Sequence, residues 1–327
     1  MDEAAHASEA ETLLSLIANV KMAQEGRVHG VLVGDMKQLG PVYMSSHATM
    51  KFLNANRGFH FRPKMRKQYE SMFERLFRAD RCRVSWLTSH YRMHPDLAAV
   101  TLGFMYHDIL LHLRPIQEFV TPFTNVEGPQ GLRVVTVVDT RLCLDRFEGN
   151  SGGRVDGRLF NDFEIDLVQH YLVRLNRNRG DFNLKDNIIV AAPYVQQKNR
   201  IAERLTQSPN FCSNHPSAPD LNVVIETTDA LQGSERAVAL ISLTRSNVAR
   251  EVGFLRDDRR LNVAFTRARN ATIIIGDFST MTRCAIAEHV YSAAAERASG
   301  TVLQFFQPRR SRIDTFQRAQ VRRLMLN

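Results

Sequence analysis

The sequence predicts an α/β fold organised around a parallel sheet, and three observations carry that expectation. First, short runs rich in β-branched residues, VLVGD (31–35), RVVTVVD (133–139), IIVAAP (188–193) and ATIIIGD (271–277), recur along the chain. They are too short for helices and too continuously apolar for half-exposed strands, so they read as strands buried on both faces. Second, they alternate with segments such as SEAETLLSLIANVKMAQ (8–24) and YVQQKNRIAERL (194–205), whose apolar residues return at helical spacing. Third, unusual polar residues follow several of the strands, and open α/β sheets place their ligand sites at strand carboxyl ends.

In chain order, residues 8–24 read as an amphipathic helix with Leu13, Leu14, Ile17 and Val20 on one face. VHGVLVGD (28–35) reads as a buried strand ending in a loop, SMFERLFR (71–78) as a short helix, and RVSWLTSHYRMHP (83–95) as a strand entering a loop. A helix is expected over 98–118 and a strong strand over 131–139. Residues 144–158, Gly-rich and polar, read as a mobile insertion. A helix over 161–175, the strand 188–193 and the helix 194–205 follow, then a loop over 208–220. Strands are expected at 235–243 and 271–277, with a helix near 258–269 between them. A last helix covers 279–297, and Pro308 opens a basic tail. Residues 1–84 look too small to close a sheet of their own, 85–297 can form a complete domain, and 298–327 are the tail.

A chain of 327 residues suits about two domains. No apolar run approaches the roughly 20 residues of a membrane span, and the acidic, polar start does not read as a secretory leader. Cys82, Cys143, Cys212 and Cys284 lie far apart with no C-x-x-C pair. That spacing argues against a zinc cluster or disulfide framework and for a reducing interior, cytoplasmic or nuclear. The net charge of +9 is uneven: residues 57–83 hold nine Lys/Arg against three Asp/Glu, and 301–327 six Arg against one Asp. Such patches attract polyanions, nucleic acid first among them, although solvated surface is their commoner use.

Four segments concentrate unusual polar groups. VLVGDMKQLGP projects Gln38, SHYRMHP carries Tyr91 and Arg92, and TTDALQGSE holds Gly233 and Glu235. DDRRLNVAFTRAR sets Arg260 and Arg267 seven residues apart, two turns along a helix and so on one face. Guanidinium groups give bidentate donors to phosphoryl oxygens, so two arginines aimed at one crevice suit a triphosphate. One arginine alone reads as surface or salt bridge; the ordered set does not. The opening DEAA has two readings: a carboxylate pair for Mg²⁺ and water, or a helix start capped by Asp2. Asp257-Asp258 read as a helix cap rather than a nuclease cluster, and His94 as a structural histidine.

In this order DEAA, VLVGDMKQLGPV, LTSHYRMHP, IIVAAPYVQQKNRI, TTDALQGSE and GFLRDDRRLNVAFTRAR resemble motifs II to VI of superfamily 1 helicases. The branch is that of the nonsense-mediated-decay helicase and senataxin. The resemblance implies a RecA-like fold, with the end of a first lobe over 1–84 and a complete second lobe over 85–297. It implies ATP and Mg²⁺ as cofactors, single-stranded RNA or DNA as partner, and ATP bound between the lobes. Asp2 matches the Mg²⁺ aspartate, Glu3 the glutamate that orients water, and Gln38 the γ-phosphate sensor. Arg92 and Arg267 match the two γ-phosphate arginines of the second lobe. Tyr91 matches an aromatic on the adenine and Glu235 a carboxylate near the ribose; Gly233 and Arg260 belong to the same nucleotide-facing segments. Pro193, Tyr194 and Thr228 match positions near the nucleic-acid backbone.

The sequence also departs from the family pattern. Gly-Lys occurs nowhere in the 327 residues, so the G-x-x-x-x-G-K-S/T loop is absent. The expectation is therefore a chain that does not hydrolyse ATP alone, with a separate chain or upstream segment supplying the first lobe, and with Asp2 on a frayed terminus. His90 stands where relatives mostly carry Gln, Ser234 where a basic residue is common, and Ala237 where an acidic one is frequent. The alternative is a non-catalytic nucleic-acid-binding or regulatory module derived from a helicase.

Overall fold

The computed structural model describes residues 1–17, 30–41, 71–80, 82–107, 112–113, 133–152, 158–177, 187–207, 223–296, 300–306 and 320–323. The chain divides into two compact units, Met1–Leu87 and Thr88–Asn327. The expected loop at 208–220, and most of the basic stretch 57–83, lie outside the described residues.

In the Met1–Leu87 unit the first residues run beside 31–34 in a ladder of backbone bonds. The Met1 ammonium donates to Val31 O at 2.8 Å, Val33 N to Met1 O at 2.9 Å and Ala4 N to Val33 O at 2.8 Å. Asp2 is therefore pinned by its neighbours' backbone, which corrects the expectation of a frayed end. Nor does Asp2 cap a helix. Helix α1 (Glu9–Ile17) begins after Ser8, whose Oγ accepts from Glu11 N at 3.3 Å while Glu11 Oε2 accepts from Ser8 N at 2.7 Å. That reciprocal capping box satisfies two otherwise orphaned amides and sets the helix start there. Helix α2 (Met72–Arg78) is capped by Ser71, and Arg75 ties it to Glu9 of α1 at 2.5 Å. The stretch 30–35 is not the buried strand expected, for Val31 is 67% and Val33 42% exposed.

Gly34 is where this ladder closes most tightly: a Cβ there would stand 2.7 Å from Ala5 N and 3.2 Å from Ala5 Cβ. Backbone cannot yield as a flexible side chain can, so Gly34→Ala is expected to cost about 1–3 kcal/mol locally. Hydrogen exchange at the Ala4 amide reads this directly; unchanged protection would show that the ladder tolerates the methyl group.

The Thr88–Asn327 unit holds β1 (Ser89–His90), α3 (Pro95–Thr101), β2 (His112–Leu113), β3 (Val135–Asp139), β4 (Gly149–Asn150) and β5 (Leu159–Phe160). Then come α4 (Asp162–Arg177), β6 (Ile188–Ala192), α5 (Val195–Thr206), β7 (Val224–Thr227) and β8 (Arg236–Ser242). α6 (Asp258–Phe265), β9 (Ala268–Gly276), α7 (Phe278–Met281), α8 (Ala285–Glu296), β10 (Gly300–Phe306) and β11 (Gln320–Arg323) complete it. The main sheet has the order β11-β10-β3-β9-β8-β6-β7. All its pairings are parallel except β10 with β11.

Alternate residues of each central strand enter different cores, which is why their sequences are apolar without a break. Val137, Ile189, Ile241 and Ile274 pack with Leu97, Leu261, Phe265, Met281 and Val290 from α3, α6, α7 and α8. Val138, Val190, Leu240 and Ile273 pack with Ile165, Val168, Leu172, Ile201 and Leu205 from α4 and α5. The result is a sheet between two helical layers, the α/β architecture expected of a RecA-like lobe.

Several boundaries differ from the sequence reading. Residues 298–327 were expected as a tail beyond the domain, but 300–304 pair in parallel with β3, and 320–323 add an antiparallel edge strand. The helix expected at 98–118 is α3 instead: Pro95 fits the first turn, and His94 Nδ1 accepts from Asp96 N at 3.2 Å. Within 83–95 only Ser89–His90 form a strand. The segment 144–158, expected as a mobile insertion, is anchored over its described residues, with Glu148 N donating to Ser246 O at 2.9 Å and β4 pairing with β5. Among the described residues no helix is long and apolar enough to cross a membrane.

Candidate functional site

The parallel pairing of β8 with β9 sets Arg236 opposite Ala268, so the residues just before both strands share one rim of the sheet. Arg236 N donates to Arg267 O at 3.0 Å, and His94 N docks the loop after β1 onto Arg269 O at 2.7 Å. This rim brings together Arg92, Glu235, Thr266, Arg267 and Arg269. Arg92 Nε pairs with Glu235 Oε2, and its Nη1 lies 3.5 Å from Thr266 O. Arg269 Nη1 approaches Glu235 Oε1 at 4.0 Å, so the carboxylate faces two guanidinium groups. Tyr91 stands beside Arg92 with 67% of its surface exposed. Gly233, at φ +80°, has open space where a Cβ would stand.

Arg267 is 1% exposed, and its guanidinium is turned inward. Nε donates to Val263 O at 2.7 Å, Nη1 to Ser234 O at 3.1 Å and Leu231 O at 3.2 Å, and Nη2 to Thr266 Oγ1 at 2.9 Å. The expectation of two arginines on one helix face is corrected, because α6 closes at Phe265 and Thr266 caps it. Arg260 does lie on α6, 3.3 Å from Asp229 Oδ1 and with Cζ 4.7 Å from the Phe254 ring centroid. Arg260 and Arg267 nonetheless hold the same segment, 229–234, from two points.

The expectation that the polar segments sit at strand carboxyl ends is corrected for two of them. After β7 the chain runs back along the sheet to start β8, and α6 returns it again before β9. Glu235 and Arg267 therefore close on the amino ends of their strands. The carboxyl ends hold Pro193, Tyr194 and Thr228, joined where Thr228 N donates to Ala192 O at 3.2 Å. All three are buried. The Tyr194 hydroxyl accepts from Arg245 Nη1 at 3.3 Å, and its ring lies 4.6 Å from that of Phe254. The start of α5 at this edge has no side-chain cap.

Behind that edge lies a buried polar network. Glu164, fully buried, accepts at Oε2 from Ser242 Oγ at 2.6 Å and Thr244 N at 2.8 Å, and at Oε1 from Asn161 Nδ2 at 3.3 Å. Burial pushes its carboxyl up to about 8, against the pull of those donors. Glu148 accepts from Ser246 N at 2.7 Å and lies 3.1 Å from Arg245 Nε.

Asp2, Glu3 and Gln38 belong to the Met1–Leu87 unit. Asp2 Oδ1 accepts from Glu3 N at 2.9 Å, and Glu3 takes φ +52°, uncommon for a residue with a Cβ. Gln38 Nε2 donates to Asp35 Oδ2 at 3.0 Å, folding it onto its own loop. Among the described residues no group of three or more His, Cys, Asp or Glu could hold a metal ion.

Sequence reasoning missed Arg269, Thr266 and Arg245. The first left a partial signal, a second arginine two residues after Arg267 in T-R-A-R. Arg245, closed in by the turn at Gly253 and the Tyr194 hydroxyl, left no local signal.

Comparison with known proteins places the chain. A family model described as an AAA domain matches residues 68–279. DNA polymerase alpha-associated DNA helicase A of Saccharomyces cerevisiae is 27% identical over 87% of this chain and 38% of its own length. ATP-dependent helicase NAM7 of the same yeast is 28% identical over 89% of this chain and 26% of its own. The regulator of nonsense transcripts 1 homolog of Neurospora crassa is 29% identical over 85% of this chain and 22% of its own. The chain thus spans well under half the length of the curated relatives it matches. It belongs to the AAA domain family and, within superfamily 1, to the C-terminal helicase region of the nonsense-mediated-decay helicase and senataxin group.

Proposed function

We propose that the chain supplies the second RecA-like lobe of an ATP-dependent helicase that moves along single-stranded RNA or DNA. The observation that carries this reading is the meeting of Arg92, Glu235 and Arg267 at one rim, beside the open backbone at Gly233. That rim fits a nucleotide: the glycine leaves room for close approach, and guanidinium groups match phosphoryl oxygens. Arg92 would bind the terminal phosphate, Arg267 would hold the 231–234 segment and contribute its charge, Glu235 would sit near the ribose, and Tyr91 would stack on the base. Arg260 steadies the same segment through Asp229.

Mg²⁺ carried with a triphosphate needs only one or two protein carboxylates, so Asp2 would serve, although no group of three or more ligating residues is found among the described residues, and Glu3 would orient water. When bound, the ion would supply positive charge that offsets the charge on a transferring phosphoryl group. Because Gly-Lys is absent, turnover would require a first lobe carrying the phosphate-binding loop. Pro193, Tyr194 and Thr228, being buried, would not touch nucleic acid themselves but would shape the backbone at the carboxyl ends of β6 and β7 past which the strand runs, a grip dominated by phosphate contacts and therefore salt-dependent and sequence-tolerant.

The test is ATP turnover, with single-stranded RNA or DNA, by the chain complemented with a first lobe that contains the G-x-x-x-x-G-K-S/T loop. Arg92→Ala is expected to lower turnover roughly 10²-fold, as loss of one preorganised donor does elsewhere, with the melting temperature unchanged. Turnover insensitive to Arg92 would remove it from the reaction. One observation favours a second reading: Glu235 already occupies Arg92. Salt-dependent binding of single strands with no turnover in the complemented assay would make the chain a non-catalytic nucleic-acid-binding module.

A further inference from the structure

The direction in which Arg92 points is set by the turn from His90 to Met93. His90 is held by pairing with Leu113, Met93 is fully buried in the core, and His94 N is bonded to Arg269 O. Between these anchors the turn is closed by a side chain, for Met93 N donates to His90 Nε2 at 3.2 Å. Only an unprotonated ring nitrogen can accept an N–H, so the imidazole is neutral with its hydrogen on Nδ1.

We propose that His90 is a positioning residue whose neutral ring closes the turn that aims Arg92 at the rim, and that protonating the ring releases it. The geometry stands by itself; its consequence for nucleotide rests on the function proposed above. A proton on Nε2 removes the acceptor for the Met93 amide and sets a second cation beside Arg92. The charged groups around the ring come from three places. Its own loop contributes Arg92 and His94, the latter capping Asp96; the segment before β8 contributes Glu235; and β9 contributes Arg269, which reaches toward Glu235. Burial, then Arg92, hold the imidazole below its ordinary 6.5, with Glu235 pulling the other way. The turn is thus closed at neutral pH and opens in acid.

The test is an NMR titration of the whole chain with labelled histidine and methionine. The Met93 amide is expected to shift with the same midpoint as the His90 ring, below about 6.5. Arg92→Gln should raise that midpoint. In His90→Gln, whose Oε1 accepts the same bond without titrating, the Met93 amide should stay flat. At pH 7.5, where ring charge does not intrude, binding of a fluorescent ATP analogue should weaken about fivefold in His90→Ala, the worth of one hydrogen bond, and stay within about twofold in His90→Gln. A Met93 amide that ignores the His90 titration overturns the proposal, as does His90→Ala binding like wild type. These binding measurements are made on the chain complemented with the first lobe; if even the complemented wild type fails to bind the analogue, the nucleotide reading falls, and the Met93 titration still decides the role of His90.

Discussion

Arg267→Ala should lower the melting midpoint of the Thr88–Asn327 unit by about 10 °C and abolish turnover in the complemented assay, two effects with one origin. The guanidinium is buried among the carbonyls of Leu231, Ser234 and Val263 and the hydroxyl of Thr266. Removing it takes a charged donor from the Val263, Leu231 and Ser234 carbonyls, although Leu231 O keeps Ser234 N at 3.0 Å, and leaves a void the size of a large side chain, which is the larger cost. A loss of about 3–5 kcal/mol follows. The segment released is the one that carries Gly233 and delivers Glu235 to Arg92, so the rim loses its shape even if Arg267 never touches a phosphate. Arg267→Lys separates the roles. Lysine keeps the charge but is a point donor and cannot span carbonyls on two sides, so the midpoint should stay low while residual nucleotide binding returns. An Arg267→Ala chain that melts like wild type would mean the carbonyl clamp contributes nothing.

That double duty marks where sequence reasoning reached its limit. The strands were legible because both faces of the sheet are covered, which forces runs such as IIVAA to be apolar without alternation. Arg92, Glu235 and Arg267 stood out in the sequence through motifs that resemble a known family, and the structure brings the three to one rim. What spacing could not reveal was which way a side chain turns. Arg260 and Arg267 are two helical turns apart, but α6 stops between them, and the second enters the interior. Tyr194 looked like a surface contact and is packed on Phe254. Direction depends on long-range partners: Leu231 and Ser234 lie over thirty residues from Arg267. The two late strands were missed for the opposite reason. β10 gains its place by pairing with β3, far back in the chain, and it lies within the stretch 298–327 that reads as a tail.

Glu164 offers the other large effect, and its sign can be worked out. Its carboxyl titrates near 8 in the native chain against an ordinary 4.5. Between those values the folded protein keeps a proton that the unfolded chain releases, so stability must fall as pH rises through this window and level off above it. Burial is the cause, with Asp277 and Glu148 adding like charge. Glu164→Gln is neutral at every pH and retains an oxygen for Ser242 Oγ and Thr244 N, so its midpoint should change less between pH 5.5 and 8.5 than the wild type's. Glu164→Ala leaves those two donors buried without their acceptor, in a cavity at the carboxyl end of β8, and should lose about 3–5 kcal/mol. The damage should spread: Ser242 also accepts from Gln197 of α5, and Asn161 bridges to the Thr244 and Arg146 carbonyls. Loosening this edge disturbs the loop that carries Arg245 to Tyr194. Thermal melts of the three proteins across that pH range settle the matter, and a wild type that grows more stable toward pH 8.5, in parallel with Glu164→Gln, would show that the buried carboxyl holds no proton.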